Sequence, residues 1–266
     1  MRILVSLVAV LVASTAYAIR VPEDCASIGE AVMLASSGDT IEVAAGTYSG
    51  PENRNIEIFD KSLSFVGRGL VIMDVEGYGR SFLVDGYEIE NGHFSFENMV
   101  FFNGSLNYGS GIVCRNATIT IKNCAIAENR SYWGSGIVME NCDLVVENCV
   151  FYHNSALSAG SSFFLSGGNT SIRGCIIEDE GSTSWMECNG SSGTVLCCII
   201  NSTLEPCLFN NDIFSERVDF CNPEILDFRT GPFNFHSCGS IGTGLCTKTS
   251  VEEGNISWGF IKVINK

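Results

Sequence analysis

Apolar side chains fall on alternate positions of short runs, and the runs recur. In Gly109–Trp133, Ile112 and Cys114 share one parity, as do Ile119 and Ile121, then Cys124 and Ile126. The next stretch offers Ile137 and Met139, Leu144 and Val146, Cys149 and Phe151. The third offers Phe163 and Leu165, Thr170 and Ile172, Cys175 and Ile177. Alternation of this kind predicts strands with one apolar face, three in each copy. No segment of the repeat keeps a 3.6-residue period, which excludes a helical solenoid. Gly109, Gly134 and Gly160 open successive copies 25 and 26 residues apart, and Cys124, Cys149 and Cys175 keep those spacings. Cys198 follows 23 later, and Met99 stands 25 before Cys124. A period of this length marks stacked units, none of which can bury its own apolar face.

Three strands in each repeat of this size describe one coil of a parallel β-helix, with equivalent positions stacked about 4.8 Å apart. Asn98, Asn123 and Asn148 share one corner, where Asn can take a left-handed conformation and its amide can bond the next Asn along the axis. Outside, Glu97, Lys122, Glu147 and Arg173 alternate in sign, which favours stacking by about 0.2–1 kcal/mol per pair; Arg115 over Glu140 is a shorter case. Met99, Cys124, Cys149, Cys175 and Cys198 face inward. There Cys acts as a small apolar residue, although stacked thiols could also bridge.

Residues 21–50, with a short amphipathic helix, then "GDTI", then "GTY", resemble the entry of right-handed parallel β-helix proteins of the pectin-lyase-like superfamily. The recurring "NC-x-[IF]" strand fits the same family. Ile28, Ala31, Val32 and Ala35 make one helical face that would plug the open first coil. The resemblance covers about residues 21–202 and implies an all-β fold of about six coils. The expected divisions are a signal peptide at 1–18, an N-terminal cap helix at 19–38, the β-helix at 39–204, and a Cys/Gly-rich cap and tail at 205–266. Cys238 and Cys246 could bridge a small loop. The "CNP" start of Cys221–Cys246 and the final "SWGFIKVINK" resemble the closing segments of secreted bacterial β-helix proteins. The tail reads as a capping strand, with a sorting signal as the alternative.

The opening "MRILVSLVAVLVASTAYA" has a positive start, an apolar run and an A-x-A cleavage signal. It predicts export, to the outside or the cell surface. No later apolar run has the ~20 residues of a spanning helix. Thirteen cysteines in an exported chain make disulfides plausible, and an odd count leaves at least one free or paired between chains. Lys and Arg total 15 against 30 Asp and Glu, a net charge of −15. Such a surface repels nucleic acid, and also polyanionic sugars unless calcium bridges them.

In enzymes of the resembled superfamily, the groove follows the outer face of the first strand of each coil. Here that face carries Val113, Val138 and Phe164, preceded by Ser110, Ser135 and Ser161. It shows neither the paired carboxylates of a hydrolase nor the calcium-binding Asp cluster and base of a lyase. Glu178-Asp179-Glu180 could hold a cation or form a solvated turn. Asp74, Glu76 and Asp85 could meet in space, while His93, His153 and His236 are scattered. Tyr108 and Trp133 both precede a "GSG" and should lie over each other, with Tyr132 adjacent and Trp185 near the same edge. These aromatics, with Phe164, either stack on sugar rings or cover the apolar stripe beside them. Seven N-x-S/T sequons stand at Asn103, Asn116, Asn129, Asn169, Asn189, Asn201 and Asn255.

The expectation is therefore a non-catalytic β-helix protein that binds a carbohydrate or surface partner along its side, with no cofactor and calcium admissible. A diverged polysaccharide lyase or glycoside hydrolase and a cell-surface, adhesin-like structural protein are the alternatives.

Overall fold

The computed structural model describes residues 17–179, 184–200, 210–214, 220–222 and 227–230, and the side chains of these up to residue 200 except 197 and 199. The alternating runs form a parallel β-helix. One wall is a six-stranded sheet whose central members are Phe82–Asp85, Ile112–Arg115, Ile137–Glu140 and Phe163–Ser166. The second and third walls belong to one twelve-stranded sheet. Its second-wall members include Thr118–Lys122, Asp143–Glu147 and Asn169–Arg173, and its third-wall members Ala125–Ala127, Val150–Tyr152 and Ile176–Glu178.

The copies stack in the register their spacing predicts. Ile112 pairs with Ile137 and Ile137 with Phe163 on the first wall, and Leu144 pairs with Ile119 and Thr170 on the second. The chain makes about seven turns rather than six, because strand Ala18–Val21 pairs parallel with the strand at Thr40–Tyr48 and so starts the stack earlier. Strand Ala18–Val21 also straddles the boundary drawn after residue 18. At the other end, Asn210–Phe214 pairs parallel with Ser192–Ile200, past the boundary drawn at 204. The stretches at 1–16 and 231–266, with Cys238, Cys246 and the final "SWGFIKVINK", lie outside the described residues.

A helix occupies Ile28–Leu34. The Ser27 side chain accepts from the Glu30 N–H at 3.0 Å, and Glu30 reaches back to accept from the Ala26 N–H at 2.8 Å. This reciprocal cap satisfies two donors that the first turn leaves open. Ile28, Ala31 and Val32 are its buried side.

The interior changes character along the axis. In the early coils Phe65, Phe82, Phe96 and Phe101 fill it, with Phe65 and Phe96 stacked at 5.0 Å. Later coils use aliphatic residues, the rings of Phe151, Phe163 and Trp185, and the column Cys124, Cys149, Cys175 and Cys198, whose thiols are all free and buried. Each of these thiols donates to the carbonyl two residues before it, at 3.2–3.4 Å. The N–H groups of Cys124 and Cys175 donate to the sulfur of the next Cys in the column, at 3.5 and 3.4 Å. Cysteine here is an apolar filler that also satisfies corner backbone, and burial pushes the Cys124 thiol up to about 12.

Two corners use Asn differently. At the corner between the second and third walls, Asn98, Asn123 and Asn148 have φ of 59°, 51° and 53°, and Gly174 takes the place at 64°. The amide-to-amide ladder expected there stands instead at the next corner. The Gly104 N–H donates to Asn129 Oδ1, Asn129 Nδ2 to Asn154 Oδ1, and Asn154 Nδ2 to Asp179 Oδ1, at 2.8, 3.1 and 3.4 Å. Both Asn side chains also donate to interior carbonyls, of Phe101 and Ile126. On the outer face the charge column pairs in register, and Lys122 meets Glu147 at 2.8 Å.

Candidate binding face

After the corner at Asn129 and Asn154, two consecutive coils make an additional short strand before returning to the first wall. Arg130–Trp133 and Ser155–Ala159 pair parallel as a two-stranded ladder. The alternating pattern predicts three strands in each copy and none in these two stretches. The turn that follows is set by Gly109, Gly134 and Gly160, whose φ values are 64°, 62° and 69°. Gly takes this conformation at no steric cost. The backbone also presses on the first wall: a Cβ on Gly109 or Gly134 would meet Val113 or Val138 Cγ2 at 2.2 Å.

Reversal at that Gly turns the next serine inward. Ser110, Ser135 and Ser161 are buried. The Ser110 hydroxyl donates to the Arg130 carbonyl, and Ser135 to the Ser155 carbonyl at 2.5 Å, so these serines fasten the additional ladder to the coil. Ser161 instead donates to Asp179 Oδ2 at 2.7 Å, joined by Ser162 at 2.6 Å. Burial raises the Asp179 carboxyl to about 6, against the opposing pull of the two serines and Asn154.

The outward residues Leu83, Val113 and Val138 are buried and form a small cluster outside the coil, with Tyr108 and Phe164 packed on it. The two rings meet edge-on with centroids 6.1 Å apart. The Tyr108 hydroxyl donates to Glu140 Oε1 at 2.6 Å, and Arg115 Nε donates to Glu140 Oε2 at 2.6 Å. Burial and the bond to Glu140 push the Tyr108 phenol up. Tyr108 is therefore half-buried and bound at both ends, and it covers the stripe beside it, as Phe164 does.

Tyr132 and Trp133 sit differently. They are 45% and 44% exposed, with ring centroids 4.3 Å apart in an edge-on arrangement. Leu157, on the paired strand, is 78% exposed. Tyr108 and Trp133 are bridged backbone partners, as their spacing predicts, and Trp133 then pairs with Ala159. Trp185 does not join them. It is 1% exposed and packs in the interior against Phe163, 6.0 Å between centroids. The coil from Phe163 to Met186 is shorter than its predecessors, so the register puts Trp185 beside Ser162 and removes it from the aromatic edge.

The remaining candidates serve locally. Asp74 accepts from the Glu76 N–H and Asn103 Nδ2, Asp85 from the Tyr87 N–H and Asn116 Nδ2, and Glu76 pairs with Arg54 at 2.8 Å. His153 stacks on Tyr152 at 3.7 Å, His93 is exposed, and His236 and Glu180 lie outside the described residues. The sequon residue Asn129 is buried inside the corner ladder. Among the described residues no three His, Cys, Asp or Glu side chains gather in a way that could hold a metal ion.

Residues 68–215 match the family described as the right handed beta helix region. The chain belongs to that family. Among solved structures, this right-handed β-helix is similar to pectin methylesterase from Aspergillus niger in its penultimately deglycosylated form. The TM-score is 0.39 and the identity 13%, over 76% of this chain and 85% of that one. The deglycosylated form of that enzyme gives 0.35 and 14% over 76% and 85%, and pectin methylesterase from carrot 0.35 and 14% over 75% and 77%. A comparison with curated protein sequences finds no match. Among the described residues no helix is long and apolar enough to cross a membrane.

Proposed function

We propose that the chain is an exported, non-catalytic β-helix protein that binds a carbohydrate or surface partner along the ladder Arg130–Trp133 and Ser155–Ala159. The observation that carries this reading is the exposed pair Tyr132 and Trp133 beside exposed Leu157. Flat rings at an open edge can stack on the apolar face of a sugar ring, and the fold already accounts for Tyr108, Phe164 and Trp185. The net charge of −15 favours a neutral glycan over a polyanion.

The test is glycan-array binding by the wild type and by Tyr132→Ala/Trp133→Ala. Loss of about tenfold or more in affinity is expected, from the usual worth of a buried aromatic contact. Undiminished binding by the double variant removes the face from consideration. Incubation with a polysaccharide panel, with and without calcium, should leave every bond intact. Cleavage that an acidic-residue substitution abolishes would establish a lyase or hydrolase instead. N-terminal sequencing of exported protein should begin at Ile19.

A further inference from the structure

Two buried thiols stand outside the corner column. Cys114 is the last inward residue of strand Ile112–Arg115, and Cys142 lies one coil later in the turn between Ile137–Glu140 and Asp143–Glu147. Their sulfurs are 2.9 Å apart. That is inside the roughly 3.5–4.0 Å at which non-bonded heavy atoms settle, and less than about an ångström beyond a disulfide bond. The column thiols, by contrast, have corner carbonyls as their acceptors.

We propose that Cys114 and Cys142 form a disulfide linking consecutive coils as the chain folds under oxidising conditions, while the column Cys124, Cys149 and Cys175 stays as thiols. The oxidant is a small-molecule disulfide such as oxidised glutathione. The Cys142 thiolate attacks one of its sulfurs, breaks that S–S bond and releases one glutathione thiolate. Cys114 then gives up its proton and attacks the Cys142 sulfur, and the second glutathione thiolate leaves. The two cysteines lose two electrons and two protons, and the glutathione pair gains them. Both sulfurs are buried in the finished core, so the reaction belongs to the stage before these coils close. The bond would tie the first wall of one coil to the entry of the second wall of the next.

The test refolds the full chain from the reduced, denatured state in a mixture of oxidised and reduced glutathione. Free thiols are then alkylated under denaturing conditions and the peptides mapped by mass spectrometry. The expected product carries a Cys114–Cys142 link that disappears on reduction, with Cys124, Cys149 and Cys175 alkylated. Cys188, which is disulfide-bonded in the structure, reports whether the mixture was oxidising enough. Alkylated Cys114 and Cys142 in protein whose Cys188 is oxidised would overturn the proposal, as would a link from either to another cysteine. The redox-dependent rise in melting temperature should exceed that of Cys114→Ser/Cys142→Ser by about 5–10 °C, as expected for closing a loop of this length. An equal rise in the two proteins also counts against it. The mapping needs only the wild type, so the test survives a variant that fails to fold.

Discussion

Two consecutive coils carry outward aromatic rings at the same edge, and the rings have opposite fates. At the entry to the first wall, Tyr108 and Phe164 lie over Val113 and Val138, and the Tyr108 hydroxyl is tied to Glu140. One coil later, Tyr132 and Trp133 stand about half exposed beside Leu157. Both rings enter a Gly turn whose backbone seals the valine beyond it, so the difference lies in what each ring meets: Tyr108 is held by Glu140 and Phe164, while Trp133 packs edge-on against Tyr132. An outward position on a β-helix is a solvent position only where no turn folds back over it.

The contrast can be broken most severely at the glycine. Gly134→Ala should cost about 3 kcal/mol or more, because the new methyl needs both a left-handed backbone and space held by Val138. Denaturant unfolding measures this, and wild-type stability would mean that the turn does not seal the stripe. Tyr108→Ala should cost about 2–3 kcal/mol for a half-buried ring, and Tyr108→Phe about 1–2 kcal/mol for the lost bond to a carboxylate. A Phe variant as damaged as the Ala variant would place the whole contribution in the hydroxyl.

Asp179 anchors the third serine turn and adds a pH dependence. Its folded value, about 6, lies above its unfolded one, so the folded chain holds the proton more tightly. Its contribution to stability is therefore present near pH 4, is lost as the pH rises to about 6, and is constant above that. The loss should be about 2 kcal/mol, read as the difference in pH profile between wild type and Asp179→Asn. Parallel profiles would refute it. The smallest effect belongs to the open edge: Tyr132→Ala/Trp133→Ala should change stability by less than about 1 kcal/mol. A larger loss would mean that these rings, too, are packing residues.

Much of the stack was legible because an inward parity, once set by Ile112 and Cys114, must repeat wherever strands pair in parallel. The left-handed Asn corner followed from the same ruler. Three features escaped it for physical reasons. Arg130–Trp133 and Ser155–Ala159 lie on the rim, where only Ser131 and Ala156 are buried, so no alternation marks them. The serines after Gly109, Gly134 and Gly160 share the inward parity of Ile112, Ile137 and Phe163, but a polar residue leaves no mark in an apolar pattern. Trp185 was misplaced because its coil is shorter and the fixed spacing no longer applies. The Asn129, Asn154 and Asp179 ladder was present in the spacing. Asn129 and Asp179 were read apart, as a sequon and part of an acidic cluster, so the common column with Asn154 went unnoticed.

That ladder also has a direction. Each Asn takes a hydrogen bond through its oxygen and passes one on through its nitrogen, from Gly104 to Asn129 to Asn154. Asp179 receives from Asn154 and, once ionised, has nothing to hand onward. Along this edge the amides run one way and end on a carboxylate that only accepts, so the strands that stack beyond it at Met186–Asn189 and Ser192–Ile200 receive no bond from this row.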